Sequence, residues 1–416
     1  MIQRKIFVPA DILLPKQADM SVWSTVACDQ FTSDTNYWDA VAQTTEGKLS
    51  TMHMIFPEAY LQTKNHEEET KRINEVMKNY LKDDVFYTLH DSYIYVERTL
   101  PGGVVRRGLV GAVDLSQYDY RENSVTPVRA TEHTVESRLP ARVEIRKNAP
   151  IEMPHIMLFI DDRDDMIMRS AAVSAEAPVY DFDLMCNGGH ICGRPISGTN
   201  ADLLTAMLDE LTDDTVVERK YGFSSGAIIY AIGDGNHSLA AAKNCWEEIR
   251  ATLSLEEQEN HPARYALVEL MNIHDEGVAF HPIHRAVFGI DSRAFEAAAA
   301  DQLFSDNGTP VTLVTPNGKY ERFVKADSIG MVIERVDQFC QDFAKSNGGE
   351  VDYIHGDAET IRYGSMVNNA AILLPTMKKE ELFTSVMDTG VFCKKSFSIG
   401  EAHEKRYYLE CRAIKK

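Results

Sequence analysis

From His66 to Asp83 apolar residues return at helical spacing, with Ile73, Val76, Met77, Tyr80 and Leu81 falling on one face. The rhythm then shortens. Val85–Leu100 and Val104–Val113 are rich in Tyr and Val, and Pro101-Gly102-Gly103 between them predicts a β-hairpin. A second hairpin is predicted where Asn187-Gly188-Gly189 separates Tyr180–Met185 from His190–Ile196. Residues 154–160 and Tyr265–Met271 read as apolar strands, with Asp161–Asp165 as a solvated loop behind the first. Asn200 reads as the cap of a helix that carries Leu203, Leu204, Met207, Leu208 and Leu211. After about Ala300 the pattern becomes a run of small α/β units. Ile329–Phe343 is an amphipathic helix stopped by Asn347-Gly348-Gly349. Val351–His355 and Ala371–Leu374 read as short strands, Glu380–Met387 as a helix and Arg406–Ile414 as a tyrosine-rich strand. Such alternation, broken by hairpins, predicts an α/β (mixed α+β) protein with mixed sheets rather than an uninterrupted parallel sheet. The expected division is an N-terminal α/β part over 1–120, a core over 121–300 and a C-terminal α/β domain over 301–416.

Composition narrows the function more than the fold. With 44% apolar and 25% charged residues the chain has the balance of an ordinary globular protein. A net charge of −20 argues against a sequence-independent grip on nucleic acid or anionic lipid, both of which need clustered Lys and Arg. A small basic pocket within an acidic protein stays compatible with that charge, and a phosphorylated substrate would need one. The cysteines are odd in number, Cys28, Cys186, Cys192, Cys245, Cys340, Cys393 and Cys411, and none forms a CxxC pair. Reduced thiols fit this better than a disulfide framework or a structural zinc site. No signal-peptide core opens the chain and no apolar run approaches membrane-spanning length, so the expected location is cytoplasmic.

The most informative segment is Ala227–Lys243. An apolar strand stops at Gly233-Asp234-Gly235, and an alanine-rich helix begins near His237. Unpaired N–H groups at a helix start point outward, the dipole there favours negative charge, and small residues let a phosphate approach. Asp234 and His237 are residue types that hold a metal ion or move a proton. The alternative is a tight strand-to-helix turn whose Asp only caps the helix.

Three further polar clusters accompany it. Val128–Arg142 holds Arg129, Arg138 and Arg142, which supply permanently charged forks for phosphate or carboxylate, and Glu132 and His133 as acid, base or metal ligand. An exposed helix with mutually paired charges is the other reading. Asn272–Arg285 gathers three histidines, an Asp, a Glu and Arg285. Pro282 between His281 and His284 excludes a regular helical metal pair, so His284 and Arg285 read as phosphate or carboxylate donors. Asp29 and Gln30 either cap a helix over Tyr37–Thr44 or contribute to a site. No G-x-S-x-G, P-loop or kinase signature is present, so phosphate chemistry here needs another scaffold.

Gly233–Ala242 resembles the D-G-H-H-R-x-x-A-A box of the bacterial domain of unknown function 1015 family. Arg129–Thr134 resembles that family's R-x-H-E-x-T segment, and Phe280–Arg285, with Gly277-Val278 before it, its L-P-T-H-R segment. Lys394–Phe397 resembles its P-x-K-S-T-x-F segment. The box is also similar, more distantly, to the nucleotide-binding motif of ParB-like and sulfiredoxin-like proteins, a group that includes free serine kinases. The resemblance implies a ParB/sulfiredoxin-like core. It also implies phosphate contacts from Gly235, Asn236 and His237, with Asp234 holding Mg²⁺ or orienting a hydroxyl, and Gly233 and Ser238 of the same turn are expected to join the binding site. One departure stands out. The family's arginine is Ser238 here and its first histidine is Asn236, so Arg129, Arg138 or Arg285 would have to supply the missing cation.

These readings converge on a phosphotransferase or phosphatase for a small hydroxylated metabolite such as serine or phosphoserine. It would depend on Mg²⁺ and on a nucleotide, ATP or ADP. Asp234 and Glu132 are the expected metal-binding and basic groups, and His237 the phosphate contact. The partner is a small molecule, without nucleic acid or membrane, and a homodimer is left open. The competing expectations are a non-catalytic nucleotide sensor and a metal-dependent hydrolase using His281 and His284.

Overall fold

The computed structural model of the protein describes residues 5–415. They form two compact units, one from the chain up to Ala130 with Thr134–Val278 and Glu401 onward, the other from Thr131–His133 and Ala279–Gly400. These units do not follow the expected segments 1–120, 121–300 and 301–416. Strand pairing is the reason, because strands from both sides of residue 120 join one sheet in the first unit.

In chain order the first unit carries β1 (Phe7–Val8), β2 (Ala10–Pro15), α1 (Thr35–Thr45), α2 (His66–Lys82), β3 (Phe86–Thr99), β4 (Val105–Asp114), β5 (Tyr118–Asp119) and β6 (Val128–Arg129). There follow α3 (Leu139–Asn148), β7 (Met157–Ile160), β8 (Tyr180–Asp183), β9 (His190–Ile196), α4 (Gly198–Glu210), β10 (Tyr230–Asp234), α5 (Asn236–Arg250) and β11 (Tyr265–Asn272). Among the described residues they build an 11-stranded mixed sheet in the order β8-β9-β3-β4-β11-β7-β10-β6-β5, with β1 on β4 and β2 on β3. Both predicted hairpins are present, β3–β4 and β8–β9. The second turns through Cys186, Asn187 and Gly189, all at positive φ.

Central strands are covered on both faces. Tyr93, Ile94, Tyr95 and Val96 of β3 are all buried, and Tyr93 bonds Thr205 of α4 at 2.8 Å. Trp23, Trp38 and Trp246 are buried with them, and burying a large apolar side chain stabilises by roughly 1.5–3 kcal/mol. The alanines of α5, Ala240 to Ala242, let α3 pack closely on that helix.

The second unit carries β12 (Phe280–Phe288), β13 (Thr309–Thr315), β14 (Gly318–Val324), α6 (Ile329–Asn347), β15 (Glu350–His355), α7 (Asp357–Gly364), β16 (Asn369–Leu373), α8 (Glu381–Thr389) and β17 (Phe397–Ile399). Its sheet runs β14-β13-β16-β12-β15, antiparallel throughout, with β17 on β12. Helix α6 starts at Ser328, whose hydroxyl accepts the Met331 amide, and stops at left-handed Gly348, as the glycine pair predicts. The protein is therefore mixed α/β, and among the described residues no helix is long and apolar enough to cross a membrane.

Four local expectations are corrected. Asn200 lies inside α4, which begins at Gly198 after Ser197. Asp34, not Asp29 or Gln30, caps α1 by accepting the Tyr37 amide at 3.1 Å. Arg406–Ile414 forms two two-residue strands, Tyr407–Tyr408 and Arg412–Ala413. Asp161 and Asp162 are buried rather than solvated. Asp161 takes His274 at 2.6 Å and Tyr221 at 2.9 Å, and Asp162 accepts the Ile167 amide at 2.8 Å, so each carboxylate is satisfied inside the protein.

Candidate functional site

Strand β10 meets α5 at Gly235, whose φ is 83°. This left-handed turn suits glycine, and a Cβ there would lie 2.9 Å from Cγ1 and 3.0 Å from Cα of Ile156. A side chain at Gly233 would run into the Phe159 ring. Gly233 thus lets β10 sit against Phe159 of β7, and Gly235 lets the start of α5 sit against Ile156 just before that strand. The carbonyl of Gly235 accepts the amides of Ser238 and Leu239, each at 3.0 Å, which closes the first turn.

The polar side chains of the turn are held individually. Asp234 accepts the Gly235 amide at 2.9 Å with one oxygen and lies 3.1 Å from the Lys405 ammonium with the other. Lys405 is buried, and the backbone around it is fixed by arginine. Arg98 donates to the carbonyls of His403, Glu404 and Lys405, and Arg106 to that of Glu404. Nε2 of His237 accepts the Val135 amide at 3.1 Å, so the neutral ring carries its proton on Nδ1. Oδ1 of Asn236 is buried and has no hydrogen-bond partner among the described residues.

Beside this turn lies a cavity of about 170 Å³. Ser238 and Ala241 of α5 form part of its wall, together with His155, Tyr408, Cys28 and Arg142. Its remaining wall is largely apolar, with Met54, Ile55, Phe56 and Ile145 among the lining residues. Ser238 Oγ lies 3.0 Å from His155 Nε2, and His155 Nδ1 lies 3.1 Å from the Tyr408 hydroxyl. Burial pulls the His155 pKa down, while Asp29 and Asp234 oppose it. Burial pushes the Cys28 thiol up to about 11. Burial also works against the Asp29 carboxylate, but His155, the Gln30 amide, Lys405 and Arg142 outweigh it and hold Asp29 below its usual value.

Among the described residues no three His, Cys, Asp or Glu side chains gather as a metal cage. Mg²⁺ entering with phosphates asks for less, namely one or two carboxylates with water and phosphate oxygens. Two carboxylates, Asp234 and Asp29, act on His155, and Asp234 lies 3.1 Å from the Lys405 ammonium.

The other expected site residues have different settings. Each guanidinium nitrogen of Arg129 donates to a backbone carbonyl, those of Thr126, Ser124 and Gly226, so its fork serves the chain itself. Arg138 ends a short 3-10 turn over Glu136–Arg138, and its side chain lies outside the described residues. Glu132, His284 and Arg285 belong to the second unit. Glu132 accepts the Ser396 amide at 3.0 Å. Arg285 is fully buried, bonds Asp337 at 2.6 Å and donates to the carbonyls of Ile283 and Lys395. His284 accepts the Leu374 amide on Nδ1 at 3.0 Å and donates from Nε2 to Asp357 at 2.9 Å. Burial lowers its pKa against the pull of Asp357. With both ring nitrogens engaged His284 is not available as a zinc ligand, which removes the geometric basis for a hydrolase built on it and His281.

Sequence reasoning missed His155, Lys405 and Tyr408. His155 stood at the edge of an apolar strand and Lys405 before a tyrosine-rich one, and neither shows a local motif. The signal within reach was Asp29, a polar residue at the end of an apolar run, which shares the field of both.

The family described as protein of unknown function (DUF1015) matches residues 9–351, and the chain belongs to it. No curated protein matches the sequence. Solved structures that match the chain include three at low identity. One is a conserved hypothetical protein from Pyrococcus furiosus, at 13% identity and a TM-score of 0.34, covering 73% of this chain and 94% of that one. Another is SbnI with a C-terminal truncation from Staphylococcus aureus, at 10% identity and a TM-score of 0.35, covering 70% and 82%. The third is a free serine kinase in complex with AMP, at 12% identity and a TM-score of 0.36, covering 73% and 90%.

Proposed function

We propose that this protein is a phosphoryl-transfer enzyme for a small hydroxylated metabolite, of the kind of serine or phosphoserine, with ATP or ADP as the nucleotide and Mg²⁺ as the ion. One observation carries the reading. The first turn of α5 follows Asp234 and a left-handed glycine, carries Asn236 and His237 at the positive end of a 15-residue helix, and shares Ser238 with the wall of a cavity.

Such a helix start favours a phosphate through its dipole and its outward amides. Phosphoryl transfer depends chiefly on positioning and charge neutralisation, and this turn supplies elements of both. Lys405, already buried beside Asp234, is placed to compensate the charge of a transferring group. The buried Oδ1 of Asn236 accepts but cannot donate, which suits the ammonium or hydroxyl of a small amino acid. The largely apolar cavity suits the part of a ligand that carries no charge. Mg²⁺, when bound, would draw negative charge from the phosphates, with Asp234 and Asp29 as its protein ligands. Glu132, Arg129 and Arg285 receive no part in the transfer, because each is engaged by neighbours within its own unit.

The purified chain, given Mg²⁺, ATP and serine, is expected to form phosphoserine, and given ADP and phosphoserine to run the reverse. Nucleotide binding without product in either direction would favour the nucleotide sensor instead. Neither product nor nucleotide binding would overturn the reading.

A further inference from the structure

Ser238 replaces the arginine of the family's box, and its surroundings give it a different chemistry. Its Oγ lies 3.0 Å from Nε2 of His155, a buried side chain. On the far side of that ring, Nδ1 lies 3.1 Å from the Tyr408 hydroxyl. The hydroxyl gives its single proton to the Cys28 sulfur at 3.1 Å and accepts the Cys28 amide at 3.3 Å. The Tyr408–His155 bond is therefore made by the ring's Nδ1–H, so Nε2 keeps a lone pair and accepts from Ser238. A hydroxyl donating to a buried imidazole, itself oriented by a third group, has the arrangement of an activated nucleophile. Ser238, His155 and Tyr408 all line the cavity, so the relay faces space that a substrate can enter.

We propose, resting on the phosphoryl-transfer reading, that transfer runs in two displacements through a covalent phosphoserine at Ser238, with His155 as the base. In the first, a bond forms between Ser238 Oγ and the terminal phosphorus of the nucleoside triphosphate. The bond from that phosphorus to the bridging oxygen breaks, and its electron pair leaves with the nucleoside diphosphate. The Ser238 proton passes to Nε2 of His155 and then to solvent. In the second, the hydroxyl oxygen of the metabolite attacks the same phosphorus and its proton moves to Nε2. The bond to Oγ breaks, and Oγ leaves with its electron pair and takes the proton back. Tyr408 is a positioning residue, since it acts only through the His155 ring. Direct transfer in one displacement, with no covalent stage, is the mechanism this excludes.

The test uses the full chain with Mg²⁺ and ATP labelled in its terminal phosphate, without an acceptor. After acid quenching, label is expected on the peptide that contains Ser238, and serine added before the quench is expected to discharge it. Ser238→Ala should abolish the label, and His155→Gln should slow its appearance by about 10²-fold or more. Circular dichroism and a denaturation midpoint like those of the natural protein in both variants would show that the fold is intact. Absence of label on Ser238 overturns the inference in every case, as does Ser238→Ala with full turnover. Turnover without label would leave the phosphoryl-transfer reading standing, whereas no turnover and no nucleotide binding would defeat both.

Discussion

Asp234→Asn is expected to lower the rate of phosphoryl transfer by roughly 10²–10³-fold, the scale seen when one preorganised electrostatic partner is removed from a site. The substitution preserves the shape of the turn. An asparagine Oδ1 can still accept the Gly235 amide that Asp234 holds at 2.9 Å. What disappears is the charge that faces Lys405 at 3.1 Å and that would hold Mg²⁺. Lys405 is buried, so the loss leaves an ammonium without its counter-charge. Asp234 keeps 24% of its side-chain surface in solvent, so water takes over part of the screening and the stability loss stays below the buried-pair scale of about 3–5 kcal/mol. The rate should therefore fall far more than the stability. Steady-state kcat and a denaturation midpoint, measured on the same preparation, separate the two. A variant with natural kcat would remove Asp234 from the mechanism.

The largest expected loss of stability lies elsewhere in the first unit. Arg406 is buried between two buried carboxylates, Glu269 on β11 and Glu410, and Tyr180 donates to Glu410 at 2.6 Å. Burial alone would pull the Arg406 guanidinium down, but the two glutamates outweigh it and raise its pKa. Without the Glu269 charge Arg406 keeps Glu410, but the buried Arg106 loses its main counter-charge, and a buried charge left uncompensated costs about 3–5 kcal/mol. Glu269→Gln keeps the volume that packs against Gly108 and removes only the charge, so most of that loss is expected from this near-isosteric change. Chemical denaturation followed by circular dichroism reads it directly. If Glu269→Gln matches the natural midpoint, the pairing contributes nothing and packing alone holds the region. The network also bears on the site, because Arg406 follows Lys405 in the chain and helps fix the segment that carries it.

Periodicity made α2, α6 and both hairpins legible, because each buries its apolar face by a rule that repeats within a few residues. The β10–α5 turn was legible for a different reason. Gly233 and Gly235 mark a backbone that needs close approach and a left-handed conformation, and few residues other than glycine allow either. The surroundings of the turn were not legible. His155 meets Ser238 and Tyr408 only because β7 pairs with β10 and Tyr407–Tyr408 pairs with Thr25–Val26. Those pairings join segments far apart in the chain, and no local pattern records them. Arg129 and Arg285 show the opposite failure. Their charge suggested a phosphate clamp, yet their partners are backbone carbonyls and Asp337, which composition cannot reveal. Asp161 and Asp162 looked solvated for the same reason, since a run of carboxylates does not show that His274, Tyr221 and the Ile167 amide are waiting for them.

Hydrogen exchange of the full chain with and without Mg·ADP tests most directly whether the start of α5 is the phosphate site. Amides of a helix start that bind phosphate exchange more slowly once the ligand is in place. The peptide spanning Gly233 to Leu239 is expected to slow on adding Mg·ADP, and to slow less in Asp234→Asn. Unchanged exchange in that peptide at saturating nucleotide, with protection in another segment or in none, would contradict the assignment.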